Sequence, residues 1–133
     1  MKIAFISTRN AVRSIMAEAV ARKMSRLALL SPDIYSAGVE PADRVPEEVK
    51  ELLKEKDYPV EELQPKGLSA IPYESIDVLI TLSPEARDRC PYSETHMRRE
   101  HWVLEEVKTL RREELLKLLE QLENLMRGLF RIS

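Results

Sequence analysis

Short apolar runs rich in β-forming residues alternate along this chain with stretches of helical periodicity. The apolar runs lie at 2–6, 33–38, 75–82 and within 99–104, and the helical patterns lie at 14 to about 28, 45–56, 83–90 (a short helix or turn) and 111–130. Strands separated by helices usually pair in parallel, and the helices then cover both faces of the sheet. The alternation therefore predicts an α/β fold built on one mostly parallel sheet.

The size of the chain fits a single domain. It has 133 residues, of which 44% are hydrophobic and 33% charged, which is enough for one core. No repeat, low-complexity tract or change of composition divides the sequence, so we predict one domain over 1–133. The segment from about 57 to 74, which contains three prolines, is the part whose structure the sequence indicates least.

Charge and cysteine content argue against several classes of protein. The net charge is −2, from 21 basic and 23 acidic residues, so no nucleic-acid partner is expected. The apolar runs are too short to span a bilayer and no secretory signal opens the sequence, so we expect a cytoplasmic protein without a membrane partner. Cys90 is the only cysteine, which excludes an intramolecular disulfide and a cysteine-based zinc cluster. We expect neither a metal nor a cofactor.

The last helical pattern, at 111–130, is strongly amphipathic. Its apolar positions form one stripe: Leu115, Leu118, Leu119, Leu122, Leu125, Met126 and Leu129. Such a stripe normally packs in the core, here on the sheet. An alternative is an interaction protein that works through this helix, and it predicts that the stripe is exposed.

The polar stretch STRNAVRS, at 7–14, connects the first strand to the first helix. In an open parallel sheet, ligands bind beyond the carboxyl ends of the strands, and a helix N-terminus with its unpaired N–H groups favours an anion. Arg13 can add a bidentate fork to two oxygens of a tetrahedral oxyanion, and Asn10 suits a left-handed backbone position. The stretch therefore predicts a phosphate-like anion site. The alternative is an ordinary strand-to-helix turn in which Ser14 caps the helix and Glu18 follows it.

The stretch resembles the phosphate loop of the low-molecular-weight protein tyrosine phosphatases and of their relatives, the thioredoxin-coupled arsenate reductases. The family pattern is Cys, five residues, Arg and Ser, usually with Asn at the fourth position and Met-Ala-Glu soon after, and this chain reads STRNAVRSIMAE from Ser7 to Glu18. SAG at 36–38 is similar to the second-strand motif of the family. VLITLSPEARDRCP (78–91) and REHW (99–102) are similar to two segments of the reductases, so the resemblance extends to about residue 104.

The resemblance implies the family fold, a four-stranded parallel sheet flanked by helices on both faces, with the active site in the loop after the first strand. It implies that the substrate oxyanion is bound by Thr8, Arg9, Asn10, Ala11, Val12, Arg13 and Ser14. It also implies that Asn10, Ser14 and Ser36 support the loop. Some reductase relatives bind a potassium ion, with which Asn10, Glu18 and Ser36 are compatible; a bound phosphate or sulfate is the other small ligand to expect.

The chain departs from the family at the positions that carry the chemistry. Ser7 stands where the family has its nucleophilic cysteine thiolate, and a hydroxyl is a weak nucleophile unless a base activates it. Ser83 stands where the reductases have their second redox cysteine, and Cys90 matches the third. A relay of disulfides needs at least two thiols. We therefore expect no arsenate reduction by the family route and no redox role for Cys90.

The third departure concerns the general acid. The family carries an Asp-Pro pair after the last strand, whereas this chain has Val103-Leu104-Glu105-Glu106-Val107 after His101 and Trp102. Glu106, or less favourably Glu105, is the candidate acid, unless both are ordinary solvated glutamates. His101 and Trp102 are interpreted as packing residues.

These features predict a protein that binds phosphate, arsenate or a phosphorylated protein side chain and hardly turns it over, although its ancestry is that of a phosphatase or an arsenate reductase. The alternative is a natural non-catalytic module for phosphate or phosphoproteins. Ser7 is then either an engineered replacement of cysteine or a natural residue. A thioredoxin-type reductant is a partner only of a reductase.

Overall fold

Four parallel strands form the sheet of the computed structural model, which describes residues 1–132. They are β1 (Lys2–Ser7), β2 (Asp33–Gly38), β3 (Val78–Thr81) and β4 (Arg98–His101), in the order β2-β1-β3-β4. β1 pairs in parallel with both β2 and β3, so it lies in the interior of the sheet. Its buried Ile3, Phe5 and Ile6 explain why this run is apolar without alternation. The predicted α/β class and four-stranded parallel sheet are confirmed.

Four helices connect and cover the strands. They are α1 (Arg13–Leu27), α2 (Glu47–Glu55), α3 (Pro84–Arg89) and α4 (Arg112–Phe130), and two short 3-10 helices lie at Leu68–Ala70 and Tyr73–Ser75. α2 begins after Pro46 and carries Glu47 and Glu48 in its first turn, where negative charge is favourable. None of the helices within residues 1–132 is long and apolar enough to cross a membrane.

The two faces of the sheet pack against different elements. On one face, Ile3, Phe5 and Ile80 join the core formed with α1, α2 and α4. On the other face, Ile6 and Leu79 pack with residues of α3 and of the 3-10 segments. Alternate residues of β1 therefore enter opposite cores, as the pleat of a strand requires. The helices on both faces of the sheet agree with the sequence-based expectation.

The apolar stripe of α4 is directed inward. Leu115, Leu118, Leu119, Leu122 and Met126 are buried, whereas Leu125 and Leu129 are only partly buried. α4 packs mainly across α1 and also touches α2, so it covers the sheet partly through the first helix. The alternative of an interaction protein working through an exposed stripe is wrong, because burial of these leucines stabilises the core instead.

The strand order creates a crevice at the end of β1. The chain leaves β1 to form β2 on one side and later returns to form β3 on the other side. Helical connections from neighbouring parallel strands then diverge to opposite faces, which leaves space at the carboxyl ends. Ser7 is the last residue of β1, and Thr81 ends β3 beside it. The predicted anion loop therefore starts at this crevice.

Candidate functional site

The loop from Ser7 to Arg13 curls between β1 and the first turn of α1. Asn10 has a φ of 51°, the left-handed conformation that its position predicted. α1 begins at Arg13, and Val12, which precedes it, makes no side-chain capping hydrogen bond. The first N–H groups of α1 thus have no partner from a capping side chain and remain available to an anion.

Ser14 does not cap α1. It lies inside the first turn, and its hydroxyl is 2.6 Å from Ser7 Oγ and accepts a 2.7 Å hydrogen bond from Asn10 Nδ2. The alternative of an ordinary turn capped by Ser14 is therefore wrong. The side chain of Ser14 is directed back at the loop because it lies on the inner face of the helix, and it is completely buried.

The amide of Asn10 connects the loop to the rest of the chain. Its Nδ2 also donates to Ser36 Oγ at 3.0 Å, and its Oδ1 accepts from the backbone N–H of Lys66 at 3.0 Å. The Lys66 bond fixes which side of the amide is oxygen, so Nδ2 is a donor to both serines. All three side chains that the sequence offered as loop support, those of Asn10, Ser14 and Ser36, are joined in this way.

A buried carboxylate lies at the far end of the same network. Ser36 Oγ donates to Glu18 Oε1 at 2.5 Å, and Arg22 binds Glu18 Oε2 through its Nη2 at 2.9 Å. Glu18 is almost fully buried, so the ion pair and the short hydrogen bond compensate for the loss of water around its charge. Of the residues that the sequence offered for potassium, Asn10 and Glu18 are both hydrogen-bonded to Ser36.

The backbone of the loop is held by the segment that follows β2. The N–H groups of Val39, Glu40 and Ala42 donate to the carbonyls of Ser7, Thr8 and Arg9 at 3.2, 2.8 and 2.8 Å. These bonds pair three loop carbonyls with the segment that follows β2.

A cavity of about 240 Å³ opens over the loop. Its lining consists of Ser7, Arg9, Ala11, Val12, Arg13, Ala42, Glu106 and Val107. The Glu106 carboxylate therefore shares a cavity with Ser7 and Arg13, whereas Glu105 is not part of the lining and its N–H bonds Gln121 Oε1. A larger, mostly apolar cavity of about 510 Å³ lies at the amino ends of the strands, beside Met1 and Phe130. Its lining includes neither Ser7 nor Arg13.

Ser83 and Cys90 lie at opposite ends of α3. Ser83 caps the helix by accepting from the N–H of Ala86 at 3.1 Å, and Thr8 Oγ1 lies 2.9 Å from Ser83 Oγ. The structure thus brings Ser83 to the loop and leaves Cys90 in the second core. Burial raises the pKa of the Cys90 thiol, and the nearby Arg99 and a hydrogen bond with Tyr73 only partly oppose this effect.

Within residues 1–132, each histidine has a hydrogen-bond partner other than Ser7. His101 Nδ1 is 2.8 Å from Thr81 Oγ1, and His96 Nε2 is 2.8 Å from the carbonyl of Tyr73. Trp102 is buried and its ring lies 5.9 Å from that of Phe5. Trp102 is a packing residue, as predicted. No group of three or more His, Cys, Asp or Glu side chains in this part of the chain could hold a metal ion.

A strand, a loop with the Asn10–Ser36 bond, and a parallel sheet in the order 2-1-3-4 define a class of protein, and comparison with known sequences identifies it. The family described as low molecular weight phosphotyrosine protein phosphatase matches residues 2–132. The chain belongs to this family, as its resemblance predicted.

Several arsenate reductases are similar to this chain in sequence or in structure. The arsenate reductase of Bacillus licheniformis is 34% identical over 102 residues, which are 75% of this chain and 69% of the relative. A structure of arsenate reductase from Archaeoglobus fulgidus has a TM-score of 0.80 at 27% identity and covers 97% of this chain and 98% of its own. The thioredoxin-dependent arsenate reductase of Corynebacterium glutamicum has a TM-score of 0.78 at 27% identity; the match covers 98% of this chain but only 60% of that one.

Proposed function

We propose that this protein binds a small tetrahedral oxyanion, phosphate or arsenate, in the loop 7–14 and turns it over slowly or not at all. The backbone N–H groups of the loop and the Arg13 guanidinium hold the charge, and Ser7 lies at the floor of the cavity. The arsenate reductases among its relatives support an oxyanion of this size.

The hydrogen bonds around Ser7 carry the proposal. Ser7 Oγ accepts from the N–H of Asn10 at 3.2 Å and lies 2.6 Å from Ser14 Oγ. Either hydroxyl of this pair can be the donor; in the arrangement that we propose, Ser14 Oγ accepts from Asn10 Nδ2 and donates its own hydrogen to Ser7 Oγ. The hydrogen of Ser7 is then left to point into the cavity. Ser7 therefore acts as a donor to an oxygen of the bound anion.

The same hydrogen bonds explain why turnover is poor. Two donors directed at the atom of residue 7 stabilise a negative charge there, which suits a thiolate. A serine hydroxyl has a much higher pKa and stays protonated without a base, and the hydrogen bonds of Ser7 Oγ are with Ser14 and Asn10 rather than with a histidine. Ser7 thus supplies the position of a nucleophile without its reactivity.

Glu106 is the acid candidate that the cavity favours. The exposed Glu106 lines the same cavity as Ser7 and Arg13, which supports Ser7 and Glu106 as the positions of nucleophile and acid. In a chain with cysteine at position 7, Glu106 would protonate the leaving oxygen. Glu105 is not favoured, because it does not line the cavity.

A thiol relay is not part of the proposal. With Ser7 and Ser83 as hydroxyls, Cys90 has no second thiol in the chain with which to form a disulfide. A thioredoxin-type reductant consequently has no intramolecular disulfide to reduce. The phosphatase type of chemistry needs only a nucleophile at position 7 and an acid, so it is the type that a single substitution could restore.

The second candidate function is a natural non-catalytic module that binds phosphate or a phosphorylated side chain. Ser83 favours it, because this serine is completely buried and its hydroxyl both caps α3 and contacts Thr8. A second serine at a cysteine position supports divergence from the reductase chemistry over a single engineered change at Ser7.

Two variants at position 7 test the proposal. Calorimetry with inorganic phosphate should show binding by the unmodified protein, and Ser7→Ala should bind several-fold more weakly because one hydrogen bond to the anion is lost. Ser7→Cys should hydrolyse a small aryl phosphate, with Ser7→Ala as the inactive control. A folded Ser7→Cys protein that binds phosphate but stays inactive would refute the disabled phosphatase site and leave the binding module. Absence of phosphate binding by the unmodified protein would refute both.

A further inference from the structure

Lys66 touches the anion loop without lining its cavity. The residue lies in the irregular segment between α2 and β3, where Gly67 makes a single parallel bridge to Gly38 at the end of β2. The N–H of Lys66 donates to Asn10 Oδ1 at 3.0 Å, and its carbonyl accepts from the N–H of Gly38 at 2.8 Å. Both backbone groups of Lys66 are therefore used to hold the base of the loop.

The ammonium of Lys66 contacts the hydrogen-bond network of the loop at Ser36 and Glu18. Nζ donates to the carbonyls of Gln64 at 2.9 Å and Ser36 at 3.3 Å and is 3.9 Å from Glu18 Oε1. Its surroundings are thus two carbonyl oxygens and a carboxylate, all of which accept hydrogen bonds or pair with a cation. Burial lowers the pKa of Lys66, and the charge of Glu18 opposes that shift.

The position of the ammonium couples it to the loop through Ser36. The carbonyl of Ser36 contacts Lys66, while the hydroxyl of Ser36 joins Glu18 to the Asn10 amide. Arg22 is the other cation on Glu18, and its hydrogen bonds are with the opposite carboxylate oxygen and the carbonyl of Ile34 rather than with Asn10 or Ser14. Lys66 is thus the cation that contacts both Glu18 and Ser36, the serine that is hydrogen-bonded to the Asn10 amide.

We propose that Lys66 is a positioning residue for the anion loop, whose ammonium anchors the 64–67 segment to Ser36 and Glu18 so that its N–H orients the Asn10 amide. The oriented Asn10 amide donates to Ser14 Oγ and thereby holds this hydroxyl beside Ser7 Oγ. The inference rests on the proposed oxyanion binding, and it makes phosphate affinity depend on a lysine that never touches phosphate.

The test is chemical rescue of Lys66→Ala. Phosphate binding is measured by calorimetry in tetramethylammonium chloride and in ammonium chloride at one ionic strength. Lys66→Ala should bind phosphate on the order of tenfold more weakly in tetramethylammonium, the size usual for residues that orient a binding group. Ammonium ion can donate to the same oxygen acceptors and should restore most of the affinity, whereas the unmodified protein should respond equally to both salts.

Lys23→Ala is the matched control. Lys23 is also partly buried and bonded to a carbonyl, that of Lys56, and its ammonium lies over the Tyr58 ring, but neither group belongs to the loop. Its loss should leave phosphate affinity unchanged in both salts. Unchanged affinity in Lys66→Ala, or a loss that ammonium does not reverse, would overturn the inference.

A second measurement tests the inference if Lys66→Ala folds poorly or if the protein binds no phosphate. In Lys66→Gln, which keeps most of the side-chain length, the side-chain amide protons of Asn10 are followed by NMR. They should exchange with solvent at least several-fold faster than in the unmodified protein, because the bond that fixes the amide is weakened. Unchanged exchange would overturn the inference for Lys66, whereas failure of phosphate binding alone would refute the proposed function.

Discussion

Gly38 lies against Asn10 so closely that a Cβ atom on Gly38 would be 2.8 Å from the backbone nitrogen of Asn10. The same atom would be 2.9 Å from Arg9 C and Thr8 O. All three neighbours are backbone atoms of the loop, which the hydrogen bonds to the 39–42 segment hold in place. Because glycine has no side chain, the end of β2 can lie this close to the loop of the proposed anion site.

Gly38→Ala should lower both stability and phosphate affinity. Overpacking against rigid backbone costs about 1–3 kcal/mol, and relief of the clash must displace the loop that presents its N–H groups. Thermal unfolding and phosphate calorimetry measure the two effects. Gly128→Ala is the control, since a Cβ at Gly128 meets nothing within 4 Å and alanine in the interior of a helix stabilises by about 0.5–1 kcal/mol.

Arg13→Lys should weaken phosphate binding without unfolding the protein. Lysine keeps the charge but loses the fork that binds two oxygens, and we expect a loss of about 1.5 kcal/mol, roughly tenfold in affinity. Arg26→Lys, on the last turn of the same helix, should bind phosphate as the unmodified protein does. Equal affinities of the two variants would contradict a bidentate role for Arg13.

The Cys90 thiol should make the free energy of unfolding decrease as the pH rises into the alkaline range. Burial raises its pKa above the ordinary 9.0, so the folded protein retains this proton to higher pH than the unfolded chain. The contribution is fully present below about pH 9 and is lost as the pH rises through the folded pKa. Urea unfolding of the unmodified protein and of Cys90→Ala between about pH 8 and about pH 11 measures this contribution. The difference between their unfolding free energies should shrink with pH, and a constant difference would contradict it.

Leu29→Gly should stabilise the protein. Leu29 follows α1 with a φ of 57° and is 92% exposed, while the N–H of Leu30 closes the turn to the carbonyl of Ser25. This is the left-handed position at which glycine removes a steric penalty, and the gain should be about 0.5–1 kcal/mol. Ala28→Gly is the control, because Ala28 has a φ of −85° and glycine there only adds flexibility. A lower melting temperature for Leu29→Gly would contradict the prediction.

The strands and helices could be predicted from the sequence because each leaves a local pattern. The alternation of apolar runs and helical stripes located β1, β2 and α4 to within a few residues, and it extended β3 too far because Tyr73–Ser75 form a 3-10 turn before that strand. Asn10 and Arg13 could be singled out for the same reason, since their loop is a continuous stretch of sequence.

The anchors of the loop could not be predicted because they act through space. Lys66 meets Asn10 across 56 residues, and it does so through a backbone N–H, a group that every residue except proline carries. No spacing or residue type marks such a contact. Val107 and Ala42 complete the cavity in a similar way, as small apolar residues without a chemical signature. Glu106 was found only because the resemblance directed attention to its segment.

The distance along the chain between the loop and its anchors also has a consequence for folding. The contacts of Asn10 with Ser36 and with Lys66 span 26 and 56 residues, so they form only after β2 and the segment before β3 have docked. We therefore expect a partly folded chain to lack the proposed anion site. If phosphate binds only the completed protein, it raises the melting temperature by mass action, and ligand occupancy becomes a measure of how far folding has proceeded.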